Sequence, residues 1–305
     1  MKCDILIIGA GPAGLTSGIY AARARRDVII LERGVVGGQQ ALTDMIENYP
    51  GAAGKGISGQ ELSQTMEAQA KEFGVKFVYD SAQRVSLDGK IKTVDTSFNG
   101  TIEASAVIIA TGRGPRTLGI PGEKEFMGKG VSYCATCDGA FFREKEIAVI
   151  GGGNSALEEA MFLTKFASKV TVIHRRDQFR ADKIVQERVG AHPKVDVLLG
   201  YVPVEVKGTQ LMDSLVLKNV ESSEEKVLNS SAVFIYVGNI PNTDLLLDTR
   251  ILNEAKYIAA GEDMKTSISG VYVAGDVRQK DVHQVVTAVS DGAVAAIAAD
   301  YFLDQ

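Results

Sequence analysis

The stretch "ILIIGAGPAGLTSGIYAARARRDVIILER", residues 5–33, decides the fold. An apolar run, a glycine-rich turn, a helical segment and a second apolar run form the βαβ opening of a dinucleotide-binding domain. Gly9, Gly11 and Gly14 fit the G-x-G-x-x-G pattern, which allows a tight turn, close approach of a pyrophosphate and close packing of helix on strand. Glu32 ends the second run, where a carboxylate can accept hydrogen bonds from ribose hydroxyls.

The same pattern returns in "IAVIGGGNSALEEAMFLTKFASKVTVIHRR", residues 147–176. Counterparts differ by 142 in number throughout, as for Gly9 and Gly151 (151 − 9 = 142). Gly151, Gly153 and Ala156 give the permitted G-x-G-x-x-A variant. The sequence therefore predicts two dinucleotide-binding units.

The second copy differs at the end of its second strand, where His174 stands in place of Glu32. Arg175, Arg176 and Arg180 follow in "HRRDQFR". Loss of the acid removes repulsion of a 2′-phosphate, and guanidinium groups supply charge-assisted donors for it. This pattern predicts a preference for NADP(H), whereas an isolated arginine pair would more often be a solvated basic patch.

Two further runs, "AVIIATG" at 106–112 and "AVFIYVG" at 232–238, each end at a glycine and precede a proline-containing segment. Such clusters mark exits from a domain, so we expect the chain to cross near 113–117 and 239–243. The predicted class is α/β, with two Rossmann-like dinucleotide-binding domains. Residues 1–115 and 242–305 form the first domain, and residues 116–241 form a second domain inserted into it.

Composition favours a soluble globular protein with no nucleic-acid partner and no membrane partner. The net charge is −5, the hydrophobic content is 45%, and no Lys/Arg-rich run is present. After the N-terminal run, which Asp4 and the glycines interrupt, we expect no apolar run near the 18 or so residues of a membrane span. Three cysteines in 305 residues predict a reducing, cytoplasmic location.

Two of these cysteines, Cys134 and Cys137, lie in "YCATCDG" at 133–139, followed by Asp138. A zinc site would need four ligands, and the histidines form no ligand-spaced pair, so no metal is expected. A permanent structural disulfide would close a very short loop in a reducing compartment. An inert buried dithiol stays possible. Two dinucleotide sites beside one C-x-x-C favour a relay from a nicotinamide through a flavin to a redox-active dithiol.

The chain resembles the prokaryotic-type, low-molecular-weight thioredoxin reductases along nearly its whole length. The resemblance rests on "GAGPAG" (9–14), "GGQ" (37–39), "ENYPG" (47–51), "ATG" (110–112), "CATCDG" (134–139), "GGGNSALEEA" (151–160), "HRRDQFR" (174–180) and "AGDV" (274–277). It implies a homodimer that binds FAD in the first domain, takes hydride from NADPH in the inserted domain and reduces the disulfide of thioredoxin. It also implies that the inserted domain rotates, so that nicotinamide and dithiol reach the flavin in turn.

The resemblance also assigns roles within the cysteine motif. Cys134 corresponds to the cysteine that attacks the partner disulfide, Cys137 to the one beside the flavin, and Asp138 to the acid that handles their protons. Asp138 could instead cap a following helix. His283 departs from the pattern, because many relatives have arginine there.

The glycine pattern and the resemblance together give the candidate FAD-binding residues Gly9, Gly11, Pro12, Ala13, Gly14, Glu32, Arg33, Gly38, Gln39, Asn48, Thr111, Gly112, Gly275, Asp276, Gln284 and Val285. Of these, the resemblance implies Gln39, Asn48, Thr111, Asp276 and Gln284, which match positions that contact FAD in the family. The candidate NADPH-binding residues are Gly151, Gly153, Asn154, Ser155, Ala156, His174, Arg175, Arg176 and Arg180.

Two alternatives stay open at this point. One is a related flavin-dependent disulfide reductase with another redox protein as substrate, or with another electron donor such as reduced ferredoxin. The other is a non-catalytic flavin redox sensor that kept the fold.

Overall fold

The computed structural model describes residues 1–52, 56–246 and 249–305. The chain divides into two compact units, one made of Met1–Gly114 with Pro241–Gln305 and the other of Pro115–Ile240. The second unit is continuous in sequence and is inserted into the first.

The strands of the described residues, numbered in chain order, are β1 (Lys2–Ile8), β2 (Val28–Glu32), β3 (Lys76–Tyr79), β4 (Ala82–Ser86), β5 (Lys92–Thr96), β6 (Thr101–Ile109), β7 (Arg113–Pro115), β8 (Val131–Ser132), β9 (Glu146–Gly151), β10 (Lys169–His174), β11 (Val195–Leu199), β12 (Tyr201–Gly208), β13 (Met212–Asn219), β14 (Glu225–Asn229), β15 (Ala232–Tyr236), β16 (Asn239–Pro241) and β17 (Val271–Val273). The α-helices are α1 (Pro12–Arg23), α2 (Gly59–Glu72), α3 (Ala135–Asp138), α4 (Asn154–Leu163), α5 (Lys183–Ala191) and α6 (Val285–Leu303).

The first unit is built on a seven-stranded sheet in the order β3-β2-β1-β6-β5-β4, with β17 also paired to β6. Strands β3, β2, β1, β6 and β17 run parallel, whereas β5 and β4 join antiparallel. Ile5 and Ile7 face one core cluster and Leu6 and Ile8 face another, so β1 is buried on both faces. This explains why its sequence is continuously apolar rather than alternating.

Helices α1 and α6 pack closely on one face of this sheet because small residues line their contact. A Cβ atom added to Gly292 would lie 2.3 Å from the carbonyl oxygen of Ala13. The hydroxyl of Ser17 lies 3.0 Å from the carbonyl oxygen of Gly292. The abundance of alanine and other small residues in this C-terminal segment is typical of a packed helix, which the structure shows at Val285–Leu303.

The expectation that no further apolar run approaches the length of a membrane span is wrong. Helix α6 has 19 residues and is apolar enough to cross a membrane by length and composition. This is weak evidence for a span, because the core helices of globular proteins can be equally long and apolar. The helix also contains the buried carboxylate of Asp291, which pairs with Arg278 and Lys280.

The second unit contains a five-stranded parallel sheet in the order β11-β10-β9-β15-β8 and a three-stranded antiparallel sheet, β12-β13-β14. Its β9, α4 and β10 correspond to β1, α1 and β2 of the first unit. The predicted α/β class with two Rossmann-type sheets is therefore confirmed. Strands β7 and β16, at the two chain crossings, pair with each other.

Candidate redox site and nucleotide-binding turns

The first glycine turn connects β1 to α1, and each glycine has a separate physical role. Gly9 has φ of +108°, a conformation that favours glycine. A Cβ on Gly14 would lie 1.9 Å from the carbonyl oxygen of Gly9, so only glycine lets the helix pack on the turn. A Cβ on Gly11 would meet nothing within 4 Å. Open space therefore lies at the N-terminus of α1, which no described side chain caps.

The carboxylate of Glu32 holds this turn in place. Its Oε2 accepts the N–H of Ala10 at 2.7 Å, and its Oε1 accepts the N–H of Gly34 at 2.6 Å. Both oxygens are thereby fixed at the end of β2 and keep lone pairs that could accept ribose hydroxyls. The turn, the uncapped helix and the fixed carboxylate fit the pyrophosphate and ribose of FAD.

Most other FAD candidates lie at the same edge of the sheet. Gly38 lies beside Gly11, with 3.5 Å between the Cα of Gly11 and a Cβ built on Gly38. Asn48 donates to the side-chain oxygen of Gln284 at 3.1 Å, and Gln284 caps α6. The remaining candidates in this unit are Pro12 and Ala13 in the first turn of α1, Arg33 after β2, Gln39 after Gly38, Gly112 after β6, Gly275 after β17 and Val285 at the start of α6.

Thr111 makes a contact within the first unit that the sequence did not predict. Its hydroxyl donates to the carbonyl oxygen of Asn242 at 2.8 Å, and the Asn242 side chain donates back to the carbonyl oxygen of Thr111 at 2.9 Å. The Thr111 side chain therefore fixes the chain where it re-enters the first unit.

Two polar groups near Asp276 were not among the candidates. Arg113 pairs with Asp276 at 3.1 Å, but its Nε is buried without a hydrogen-bond partner in the described residues. The Nε2 of His283 is likewise buried and unpartnered there. Burial lowers the pKa of His283, and the charge of Arg113 lowers it further. Buried polar atoms without partners are uncommon, so this pair fits a site that a polar ligand completes.

The second glycine turn connects β9 to α4. Gly151 lies so close to Ala156 that an added Cβ would be 2.6 Å from the Ala156 methyl group. Gly153, like Gly11, has open space where a Cβ would be, and no described side chain caps α4. Asn154 is bound to Asp182 through two hydrogen bonds of 2.7 Å, whereas Ser155 is exposed.

His174 lies beneath this turn. Its ring packs against Gly152, where an added Cβ would be 2.5 Å from the imidazole, and it contacts the ring of Phe179. Burial lowers the pKa of His174, with the charges of Arg180 and Arg176 as further causes. Its Nε2 is buried without a hydrogen-bond partner in the described residues.

Arg175, Arg176 and Arg180 are exposed around the end of β10. Within the described part of the chain, none of their guanidinium groups forms an ion pair. The N–H of Arg180 donates to the carbonyl oxygen of Gly152 at 2.7 Å, which holds this segment beside the glycine turn. The arrangement fits a nucleotide with a 2′-phosphate.

The cysteine pair forms a disulfide, with Cys134 preceding helix α3 and Cys137 within it. The Sγ of Cys134 accepts the N–H of Cys137 at 3.2 Å and lies 3.5 Å from the hydroxyl oxygen of Thr136. Hydrogen bonds of this kind stabilise a thiolate after the disulfide opens. These contacts favour a thiolate on Cys134.

Asp138 does not act as a helix cap. It precedes the 3-10 turn Gly139–Phe142, but its side chain makes no capping hydrogen bond there. Its Oδ2 instead accepts the hydroxyl of Ser132 at 2.6 Å.

Sequence reasoning missed three groups around the disulfide: Ser132, Tyr236 and the Tyr133–Glu123 pair. The phenol of Tyr133 donates to the Glu123 carboxylate at 2.6 Å, and burial together with that bond raises the pKa of Tyr133. Tyr133 and Ser132 directly precede Cys134, so their polarity in "SYCATC" was a signal available in the sequence. Tyr236 is distant in sequence and gave none.

A redox-active disulfide in a chain with two dinucleotide-binding glycine turns is typical of the disulfide oxidoreductases that use nucleotide cofactors. The family model for pyridine nucleotide-disulphide oxidoreductases matches residues 3–292. The chain is 45% identical to a thioredoxin reductase of Peptoclostridium acidaminophilum, with 99% of this chain and 97% of the relative aligned. It is 43% identical to one of Bacillus subtilis strain 168, covering 99% and 95%.

A solved structure agrees with these relatives. The crystal structure of Lactococcus lactis thioredoxin reductase in its FR conformation superposes with a TM-score of 0.96 and 45% identity, covering 99% of both chains. The chain belongs to the thioredoxin reductases, within the pyridine nucleotide-disulphide oxidoreductase family. It is an NADPH-dependent oxidoreductase whose cofactors are FAD and NADPH.

Proposed function

We propose that this enzyme transfers electrons from NADPH through FAD to the Cys134–Cys137 disulfide, and from the resulting dithiol to the disulfide of thioredoxin. The observation that carries the proposal is the disulfide itself, in which Cys134 Sγ accepts a hydrogen bond from the N–H of Cys137. A permanent structural disulfide has no need of such thiolate stabilisation.

The two units divide the cofactors between them. The first unit binds FAD at the turn of Gly9, Gly11 and Gly14, with Glu32 toward the ribose. The second unit binds NADPH at the turn of Gly151 and Gly153, with the exposed arginines toward the 2′-phosphate. The support is the open space at the second glycine of each turn and the change from Glu32 to His174.

When bound, FAD supplies the two-electron carrier that accepts hydride from NADPH and reduces the disulfide. The protein residues then conduct the sulfur chemistry. Opening of the Cys134–Cys137 bond leaves a Cys134 thiolate, held by the N–H of Cys137. This thiolate attacks one sulfur of the thioredoxin disulfide, and the other thioredoxin sulfur leaves as a thiolate that takes up a proton.

A second exchange completes the reduction. The Cys137 thiolate attacks the Sγ of Cys134, which restores the Cys134–Cys137 disulfide and expels the second thioredoxin sulfur as a thiolate. That thiolate takes up a second proton, so thioredoxin is released as a dithiol. Two electrons move from the enzyme to its substrate. Asp138 exchanges the protons that these steps require, because its carboxylate lies in the same loop and caps no helix.

We further propose that the enzyme is a homodimer in the cytoplasm, as its relationship to bacterial thioredoxin reductases suggests. Sedimentation of the holoenzyme should give twice the 32.5 kDa chain mass. A monomeric holoenzyme at micromolar concentration would contradict the dimer without affecting the electron path.

The electron path is tested with purified holoenzyme and the variants Cys134→Ser and Cys137→Ser. The protein should be yellow, bleach with NADPH and reduce thioredoxin at steady state. Each variant should lose thioredoxin reduction while NADPH still bleaches the flavin. Thioredoxin reduction by either variant at the wild-type rate would overturn the proposal.

A further inference from the structure

Ser132 lies at the end of β8, opposite Phe234 of β15, and its side chain is buried, with 5% of the residue exposed. Its hydroxyl oxygen is 2.6 Å from Oδ2 of Asp138 and 3.1 Å from the backbone nitrogen of Cys134. The carbonyl oxygen of Cys134 is farther away, at 3.3 Å. One small side chain thus contacts both the backbone of the attacking cysteine and the carboxylate that handles protons.

The direction of each hydrogen bond follows from the available protons. A serine hydroxyl has one hydrogen to donate, whereas an ionised carboxylate can only accept. The 2.6 Å separation is typical of a charge-assisted O–H···O⁻ bond, so the hydroxyl donates to Asp138. The lone pairs of the hydroxyl then accept the N–H of Cys134.

We infer that Ser132 is a positioning residue that fixes the Asp138 carboxylate relative to Cys134 during dithiol chemistry. The inference rests on the proposed function and deepens it. The hydrogen bond to Oδ2 restricts the orientation of the Asp138 carboxylate. Among the described residues, no hydrogen bond of the Ser132 hydroxyl reaches a cysteine sulfur, so Ser132 acts through the Asp138 carboxylate and the Cys134 backbone.

The second unit offers a matched control in Ser230, which is 3% exposed. Its hydroxyl donates to the carbonyl oxygen of Ala232 at 2.7 Å, and no hydrogen bond of Ser230 in the described residues reaches the cysteine loop. Ser132→Ala and Ser230→Ala both remove a buried serine hydroxyl from the same unit. Only the hydroxyl of Ser132 contacts Asp138, so the comparison isolates that contact.

The experiment measures single-turnover reduction of thioredoxin by pre-reduced holoenzyme and, separately, flavin reduction by NADPH. A hydrogen bond to a charged group corresponds to roughly 10-fold to 100-fold in rate. Ser132→Ala should slow thioredoxin reduction by about that factor, while flavin reduction stays at the wild-type rate. Ser132→Thr should restore most of the rate, and Ser230→Ala should not lower it.

A double-mutant cycle with Asp138→Asn separates positioning from a general loss of structure. If Ser132 acts through Asp138, the double variant Ser132→Ala/Asp138→Asn should be no slower than Asp138→Asn alone. Should Ser132→Ala not fold, Ser132→Thr and Ser132→Val form a shape-matched pair with and without the hydroxyl, and only Val should slow the step.

Three results would overturn the inference. The first is a wild-type rate in Ser132→Ala, or in Ser132→Val where alanine does not fold. The second is a double variant whose rate of thioredoxin reduction is slowed by the product of the factors found in the two single variants. The third is a wild-type rate in Asp138→Asn, because Ser132 would then have nothing to position. The electron path is judged independently by the cysteine variants.

Discussion

The phenol oxygen of Tyr236 accepts the backbone N–H of Ala135 at 3.0 Å, which joins the last residue of β15 to the residue directly after Cys134. Burial raises the pKa of Tyr236, and the carboxylates of Glu159 and Asp138 contribute. The phenol therefore stays protonated over the ordinary pH range, and this anchor of the redox helix is independent of pH.

We predict that Tyr236→Phe will destabilise the enzyme by about 1–3 kcal/mol, the usual cost of a buried donor without a partner. It should also slow thioredoxin reduction, because α3 loses its attachment to the sheet. Urea unfolding and single-turnover kinetics measure the two effects. Tyr272→Phe, which removes a 3.1 Å bond to the carbonyl oxygen of Ala298 in the other unit, is the control. Equal slowing in both variants would contradict a specific role for Tyr236.

Asp138→Asn should slow turnover with thioredoxin by about 100-fold to 10,000-fold, the range for loss of general acid–base catalysis. The amide keeps the size of the side chain but cannot exchange a proton. Stopped-flow traces should show flavin reduction by NADPH near the wild-type rate and a slow step between flavin, dithiol and thioredoxin. Turnover within a factor of two of wild type would remove Asp138 from the proton path.

Replacement of Arg175 or Arg176 by alanine should lower discrimination for NADPH over NADH by roughly 10-fold to 100-fold, since each lost charge-assisted bond is worth about 1.5–3 kcal/mol. The specificity constant for NADPH should fall, whereas the specificity constant for NADH should stay unchanged. Specificity constants for both nucleotides provide the test. Lys226→Ala removes an exposed cation from β14, in the other sheet of the same unit, and should leave the ratio unchanged. Unaltered ratios in both arginine variants would refute the assignment.

The stability of the enzyme should fall as the pH drops below about 6.5, the value for an unfolded histidine. Because the pKa of His174 is lowered in the folded chain, the unfolded chain takes up its proton first. The contribution of neutral His174 to the free energy of unfolding is therefore present above about pH 6.5. It is lost as the pH falls from that value toward the pKa of His174 in the folded chain.

Replacement of His174 by glutamine should flatten this dependence between about pH 7.5 and 5.5, as followed by urea unfolding. His283 shifts in the same direction, so a residual slope should remain until it is replaced as well. Parallel curves for wild type and the His174 variant across that range would show that His174 is not the titrating group.

Local spacing explains which features were predictable. The turns around Gly9 and Gly151 depend on residues a few positions apart, so the two Rossmann-type units could be inferred from the sequence, and the family match confirms the class. The spacing of Cys134 and Cys137, together with the two dinucleotide units, likewise favoured a redox pair. In each case the residues that carry the signal lie within a few positions of one another in the sequence.

The contacts that were missed join residues distant in sequence or depend on side-chain direction. Tyr236 reaches Ala135 across 101 residues, and periodicity cannot pair them. Asp138 points to Ser132 rather than to the following turn, which only the conformation of the loop decides. The buried pairing of Asp291 in helix α6 with Arg278 likewise gave no signal among the surrounding alanines.

The discontinuity of the first unit determines the order in which the protein can fold on the ribosome. Pro115–Ile240 is complete when residue 240 emerges, whereas the first unit still lacks β17 and α6. The next 52 residues, up to Gly292 of α6 (292 − 240 = 52), require about 3–10 s at synthesis rates of roughly 5–20 residues per second. During that interval the apolar side of α1 lacks its partner, because Ser17 and Gly292 meet across 275 residues. The nascent chain therefore carries a finished nucleotide-binding unit beside an unfinished one, and chaperones that cover apolar surface have this interval in which to act.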